Sequence, residues 1–401
     1  MVLLALLTIQ TSIQAVPYHA DGVYALGEKA GWTVTGPSSK VKYTLKLNNK
    51  VELQTGELDL TKGPAKIEVS AKEPTMVFMQ LTPEGAKPMD FGAAVAPTRL
   101  KPVVPTPPDF GAFWDRKLKD LRAVPENAVV TPAESVLKEV DYATIRMDHI
   151  GGGHVYGQIA RPKKEGKYPA ILQLQWAGGP YPLNPWWIAG RAAQGFIVLN
   201  IQAHDVLPVE PQSYYDALPD SLKNYSSIDI EDREKNYFVS MYLRGVRAVD
   251  YLLKRPDWDG KTLIVTGTSM GGQQALAVTG LCPRVTHMLV NVPAGCDLNA
   301  ELHNRQGGYP FFWPTNEKAM NTARYVDCVN FAPRIRAKSL VAMGFVDTVC
   351  PPAGIWTAYN LIPGPKEVAP MFDSPHNHLA TPAQQKPWTD RSEEWFRALA
   401  R

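Results

Sequence analysis

Residues 262–274 read Thr-Leu-Ile-Val-Thr-Gly-Thr-Ser-Met-Gly-Gly-Gln-Gln, and this stretch decides the fold. An apolar run rich in β-branched residues has the composition of a buried strand, and it breaks into Gly267-Thr268-Ser269-Met270-Gly271, a Gly-x-Ser-x-Gly pattern. In a strand-to-helix turn this tight, the residues two before and two after the serine come close together, so Gly267 and Gly271 leave room that side chains would fill. Ser269 is thereby raised above the sheet as a candidate nucleophile. The helix expected from Gly272 to about Leu281 aims its N-terminal amides at that serine, and the Met270 N–H is a candidate oxyanion donor.

A serine hydroxyl is a weak nucleophile at neutral pH and needs a histidine base oriented by a carboxylate; the α/β-hydrolase fold supplies them in chain order serine, acid, histidine. Residues 339–345 form an apolar run ending at Val346-Asp347, 78 residues beyond Ser269, so Asp347 is the expected acid. Asp327 and Asp373 are rivals that follow no comparable strand. After Ser269 come His287, His303, His376 and His378; His287 precedes a strand, where a structural role fits. His378, 31 residues past Asp347, is the expected base and His376 the alternative. A His-x-His pair beside Asp373 also resembles half a metal site, but third and fourth ligands are not evident, so neither metal nor cofactor is expected.

Beyond about Pro132 the chain alternates apolar strands with helical patterns, which implies a mostly parallel sheet with its functional residues beyond the strand carboxyl ends. Expected strands lie at residues 170–174, 196–201, 263–266, 288–292 and 339–345. The loop after the first of these offers Trp176 or Ala177 as the second oxyanion donor. Tyr181, Trp186 and Trp187 follow, and they can stack on sugar faces or pack a lid. A short helix before these strands carries Phe110, Phe113, Trp114, Leu118 and Leu121 at helical spacing.

A length of 401 residues leads to the expectation of two domains. Residues 40–54 alternate, with Val41, Tyr43, Leu45 and Leu47 on one face, a turn at Asn48-Asn49-Lys50, and Val51 and Leu53 on a returning arm. Further short runs at 65–69 and 76–81 suggest a small immunoglobulin-like β-sandwich over residues 16–96. Five prolines between Pro97 and Pro108 block helix and mark a linker, so residues 109–401 are expected to form the catalytic domain. Residues 1–15 hold an apolar run followed by small residues, as a cleaved secretory signal would, although no basic residue precedes Lys29. The protein is therefore expected to be secreted or periplasmic, with no membrane span. A balance of 42 basic against 39 acidic side chains leaves +3, which gives no footprint for nucleic acid. Cys282, Cys296, Cys328 and Cys350 have no zinc-like spacing, and their disulfide state stays open.

From about Pro105 to Leu379 the chain resembles the carbohydrate esterase family that contains acetyl xylan esterase and cephalosporin C deacetylase. The resemblance is carried by Pro108-Asp109-Phe110 with Phe113-Trp114, by residues 241–249, by the Gly-Thr-Ser-Met-Gly-Gly elbow, and by Asn291-Val292-Pro293 with Cys296-Asp297. Tyr325-Val326-Asp327 with Asn330-Phe331-Ala332 and the segment Asp347-Thr348-Val349-Cys350-Pro351-Pro352, the most specific of all, complete it. It implies Asp347 as triad acid, with Ser269 and His378 carried over likewise, and deacetylation of acetylated xylan, xylo-oligosaccharides and small acetyl esters. Two features differ. Where the family has His-Gly-Tyr in the oxyanion loop this chain has Gln175-Trp176-Ala177, and where it has Arg-Gly-Gln this chain has Gln202-Ala203-His204, which makes His204 a candidate pocket residue. The family's ring-like hexamer implies a homo-oligomer, whose contacts an added N-terminal domain can block or replace. A prolyl-oligopeptidase-like peptidase is a second reading, but fewer than 100 residues cannot build its propeller; a sugar-binding protein with altered loops is a third.

Overall fold

The middles of the central strands are mostly apolar and buried, which suits a sheet covered on both faces. Leu263, Ile264 and Val265 are all fully buried; Leu263 and Val265 join the core on one face and Ile264 the core on the other. The same alternation divides Met288 and Val290 from Leu289, and Ala170 and Leu172 from Ile171, as the period of two requires. The computed structural model describes residues 13–37 and 39–400; the expected leader lies outside them except for its last three residues.

The sheet has nine strands. In spatial order they are Lys366–Met371, Lys338–Gly344, His287–Asn291, Trp258–Thr268, Tyr168–Leu174, Ile197–Ile201, His154–Pro162, Val140–Asp148 and Val129–Ala133. The first six run parallel, through five pairings. The last three add antiparallel pairings at one edge. That edge was not anticipated: all five residues of Val129–Ala133 are exposed, so the strand has no apolar stripe to betray it. The chain order reverses at Tyr168–Leu174, whose neighbours are the strands immediately after it and two after it. Such a switch point opens a crevice at the strand carboxyl ends, where Gln175 and Ser269 follow their strands.

Helices Phe110–Ala123, Tyr237–Lys254, Met270–Leu281 and Pro352–Leu361 cover one face; Trp186–Ala193 and Lys386–Leu399 cover the other. The first helix anchors through the residues its spacing pointed to, since Phe110, Phe113, Trp114, Leu118 and Leu121 are all buried. Among the described residues no helix is long and apolar enough to cross a membrane.

Before Pro97 the chain forms two sheets. Gln14–Pro17, Lys29–Thr35 and Ala65–Ser70 make one; Val23–Tyr24, Met89–Val95, Thr75–Pro83, Lys40–Leu47 and Val51–Asp59 make the other. Trp32, Val34 and Ile67 of the first meet Val41, Leu45, Val77 and Leu81 of the second in one core. The hairpin turns at Asn48 and Asn49, both at positive φ, the left-handed conformation that asparagine tolerates and that tight hairpins need. Its returning arm departs from the expected half-buried pattern: Val51 and Leu53 are 45% and 46% exposed, because this is an edge strand with nothing packed over it. The proline-rich segment is held in place, as Asn360 Nδ2 donates to the carbonyls of Pro97 and Leu100.

Trp114 is fully buried and its Nε1 donates to the Tyr325 carbonyl at 3.0 Å. Trp114→Ala is expected to cost about 3–5 kcal/mol, read from the urea midpoint; a loss below about 1 kcal/mol would mean that the first helix does not anchor this core.

Candidate active site

Ser269 ends the central strand and caps helix Met270–Leu281 with φ 58° and ψ −121°. No ordinary residue rests there without cost, about 1–3 kcal/mol, and the surroundings hold it. Its N–H donates to the Asn291 carbonyl at 3.0 Å, and its carbonyl accepts from Gln273 and Ala294 N–H, each at 3.0 Å. The glycines answer to space. A Cβ on Gly267 would lie 2.3 Å from the Gly271 carbonyl carbon, and one on Gly271 would lie 2.4 Å from the Leu174 oxygen. The second contact also brings the Gln175-Trp176-Ala177 loop beside Ser269.

Two hydrogen bonds join three distant segments. His376 Nε2 lies 2.9 Å from Ser269 Oγ, and His376 Nδ1 lies 2.7 Å from Asp347 Oδ2. With the ring neutral, Nδ1–H donates to the carboxylate and the serine O–H donates to Nε2. The other carboxylate oxygen, Oδ1, accepts from Val349 N–H at 2.8 Å and Cys350 N–H at 2.7 Å. The imidazole and carboxylate are 4% and 0% exposed, so neither hydrogen bond competes with bulk water.

The imidazole that reaches Ser269 is that of His376, the alternative, and not that of His378, the expected base. The loop turns at His376, whose carbonyl accepts from Leu379 and Ala380 N–H at 2.8 and 3.1 Å. That turn sends His376 inward and leaves His378 at the mouth, its ring centre 5.2 Å from that of His376. The rival acids stand elsewhere. Asp327 caps a short helix and accepts from the Asp297, Leu298 and Val329 N–H groups, with burial pushing its carboxyl up to about 7. Asp373 is half-buried, which raises its carboxyl, and its carbonyl accepts from Gln384.

A cavity of about 500 Å³ opens over Ser269, lined also by Trp176, Ala177, Tyr309, Val349, His376, Asn377 and His378. Tyr181, Trp186, Trp187 and His204, expected as pocket residues, are not in its walls. Tyr181 and Trp187 instead support Trp176, the first stacked on it at 5.5 Å and the second edge-on at 4.9 Å, while Trp186 is 60% exposed. His204 is buried against Tyr237 and Tyr225, with Nδ1 2.8 Å from the Tyr237 hydroxyl, and burial lowers its pKa to about 3, so it stays neutral. A larger cleft of about 620 Å³ lies along the antiparallel edge, away from Ser269.

Pattern reading did not single out Gln274, whose Nε2 donates to the Gln175 carbonyl at 3.0 Å and ties the helix after Ser269 to the loop at Gln175-Trp176-Ala177. The signal was its place one turn beyond the elbow, where helix spacing faces the neighbouring strand end. All four cysteines are free thiols. Cys350 joins Asp347 and His376 in a trio whose ligand atoms lie within 4.8 Å of one another.

The acetyl xylan esterase (AXE1) family model matches residues 98–391. The chain belongs to that family. The esterase is 33% identical over 368 residues to the acetyl esterase Axe7A of Xylanibacter ruminicola, covering 88% of this chain and 84% of that one. Among solved structures it resembles an acetyl xylan esterase from Paenibacillus sp. R4, 26% identical with TM-score 0.64 over 76% of this chain and 98% of the other. Acetyl xylan esterase 1 from Thermoanaerobacterium sp. has the same fold, at 20% identity and TM-score 0.64 over 76% and 97% of the two chains. The protein is therefore a carboxylic ester hydrolase with an α/β-hydrolase sheet.

The elbow leaves no room for a side chain at Gly267 or Gly271. Gly267→Ala must push the strand off Gly271, and a displacement of 1 Å at a reacting centre costs about 10²-fold. A fall of that size in kcat on a small acetyl ester is expected; an unchanged rate would show that the turn tolerates the side chain.

Proposed function

We propose that this esterase removes acetyl groups from acetylated xylan, xylo-oligosaccharides and small acetyl esters through an acyl-enzyme on Ser269. The observation that carries the reading is the pair of hydrogen bonds from His376, 2.9 Å to Ser269 and 2.7 Å to Asp347, at the floor of an open cavity. Ser269 Oγ attacks the acetyl carbonyl while its proton passes to His376 Nε2, and Asp347 stabilises the imidazolium that results. The Met270 N–H, which has no intrahelical acceptor as the first of its helix, and the N–H of Ala177 or Trp176 receive the oxyanion. Collapse breaks the bond to the sugar oxygen, which takes the proton from His376. Water then attacks the acetyl-serine, gives its proton to the same nitrogen, and acetate leaves as Ser269 regains its hydrogen.

The names and family of the relatives support acetylated carbohydrate as the substrate class. Trp176, 40% exposed at the cavity, offers an apolar surface beside the reacting ester. In the same reading residues 16–96 are an accessory immunoglobulin-like sandwich, supported by the core shared between its two sheets, and residues 97–108 are its linker; the export signal expected over residues 1–15 ends before residue 13, because Ile13 and Ala15 are buried in that core and Gln14–Pro17 pairs with Lys29–Thr35.

Acetate release from acetylated xylan tests the assignment. Ser269→Ala and His376→Ala are each expected to lower kcat by about 10³ or more, since nucleophile and base act as one unit. His378→Ala is expected to retain the rate within about tenfold. The opposite ranking of the two histidines would return the base to His378, and a Ser269→Ala variant of full activity would end the proposal.

A further inference from the structure

The loop that carries the catalytic acid is tied, through Gln306, to a turn outside the family-matched part of the chain. Thr348 follows Asp347, and its carbonyl accepts a hydrogen bond from Gln306 Nε2 at 3.0 Å. That carbonyl belongs to the same peptide unit as the Val349 N–H, which donates to Asp347 Oδ1 at 2.8 Å. Gln306 is fixed in turn by the N-terminal hairpin turn. Its N–H donates to the Asn48 carbonyl at 3.1 Å, and its Oε1 accepts from Asn49 Nδ2 at 2.8 Å. Asn48 is anchored by a reciprocal pair with Met76: its N–H donates to the Met76 carbonyl at 2.7 Å and its Oδ1 accepts from the Met76 N–H at 3.1 Å. Lys50, the third residue of the turn, pairs with Glu301, whose other oxygen accepts from Gly307 N–H at 2.9 Å.

We propose that Gln306 is a positioning residue for the acid, and that the turn at Asn48 and Asn49 sets it. Donation to the Thr348 carbonyl holds the plane of the Thr348–Val349 peptide and polarises it, so its N–H is aimed at Asp347 and strengthened as a donor. Without that restraint the peptide can rotate, Asp347 loses one of the two N–H groups that hold Oδ1, and the imidazole loses its fixed direction. The effect belongs to the chemical step. Tyr309, which lines the cavity, is bound to the same loop by its N–H to the Val349 carbonyl at 2.8 Å, a contact that does not pass through the Gln306 side chain. The turn lies outside residues 98–391, so this relay is something the N-terminal sheets add to the family's catalytic part.

The proposal rests on the triad reading above and is tested in the full chain with a small acetyl ester. Gln306→Met keeps length and removes both side-chain hydrogen bonds; Gln306→Ala removes them and the packing; Asn49→Ala acts from the far end of the relay. Both Gln306 variants are expected to lower kcat about tenfold with KM within about twofold, and Asn49→Ala to lower it about threefold. The double variant of Asn49→Ala with Gln306→Ala should be no slower than Gln306→Ala alone, since both break one path. A kcat within about twofold of the parent in both Gln306 variants, or losses that multiply in the double variant, would overturn the relay. Ser269→Ala in the same assay separates the two claims: if it stays active the triad fails whatever Gln306 does, and if it is inactive while the Gln306 variants keep their kcat, the relay alone fails.

Discussion

A carboxylate with no exposed surface must have its oxygens satisfied from within the chain, because desolvation would otherwise drive it to neutrality or out of the core. Asp347 meets that demand with two backbone N–H donors on one oxygen and His376 on the other. The segment after the strand folds back on its own aspartate to supply the first two, leaving one direction open for the third. The imidazole occupies it, and its far nitrogen then points at Ser269. Charge burial and site geometry are therefore the same constraint.

Ser269 is set by a different force, steric closure. Gly267, Gly271 and Gly272 let the strand end, the following helix and the Pro293 segment approach to distances a Cβ would forbid. Ser269 is left at a positive φ that three backbone hydrogen bonds enforce. Because neighbouring parallel strands are in register, the loops after Leu174, Thr268 and Gly344 rise from one rim. A rigid sheet thus brings together residues separated by more than a hundred positions.

The N-terminal sheets touch this rim directly. Gly92 donates to the Phe372 carbonyl at 2.7 Å, and a Cβ there would lie 2.5 Å from Phe345 Cβ. Phe345 and Phe372 flank the segments that carry Asp347 and His376. Met76 and Ala94 also enter the main core of the catalytic part. The contact is thus made of apolar packing, a close backbone approach and the hairpin-turn hydrogen bonds, all beside the acid.

Local pattern determined much of this by itself. The apolar runs at 170–174 and 263–266 lie within observed strands, and the run at 339–345 overshoots its strand by one residue, because a strand covered on both faces is made mostly of apolar side chains. The elbow was legible because glycine spacing records a backbone clash, and Asp347 because it follows a strand end. Tertiary structure alone decided the rest. His376 and His378 share one short loop with the same composition around them, and only the turn made by Leu379 and Ala380 N–H selects the inner one. Burial of His204, the support of Trp176 by Tyr181 and Trp187, and the reach of Asn49 to Gln306 across 257 positions depend on packing between segments that no local window contains.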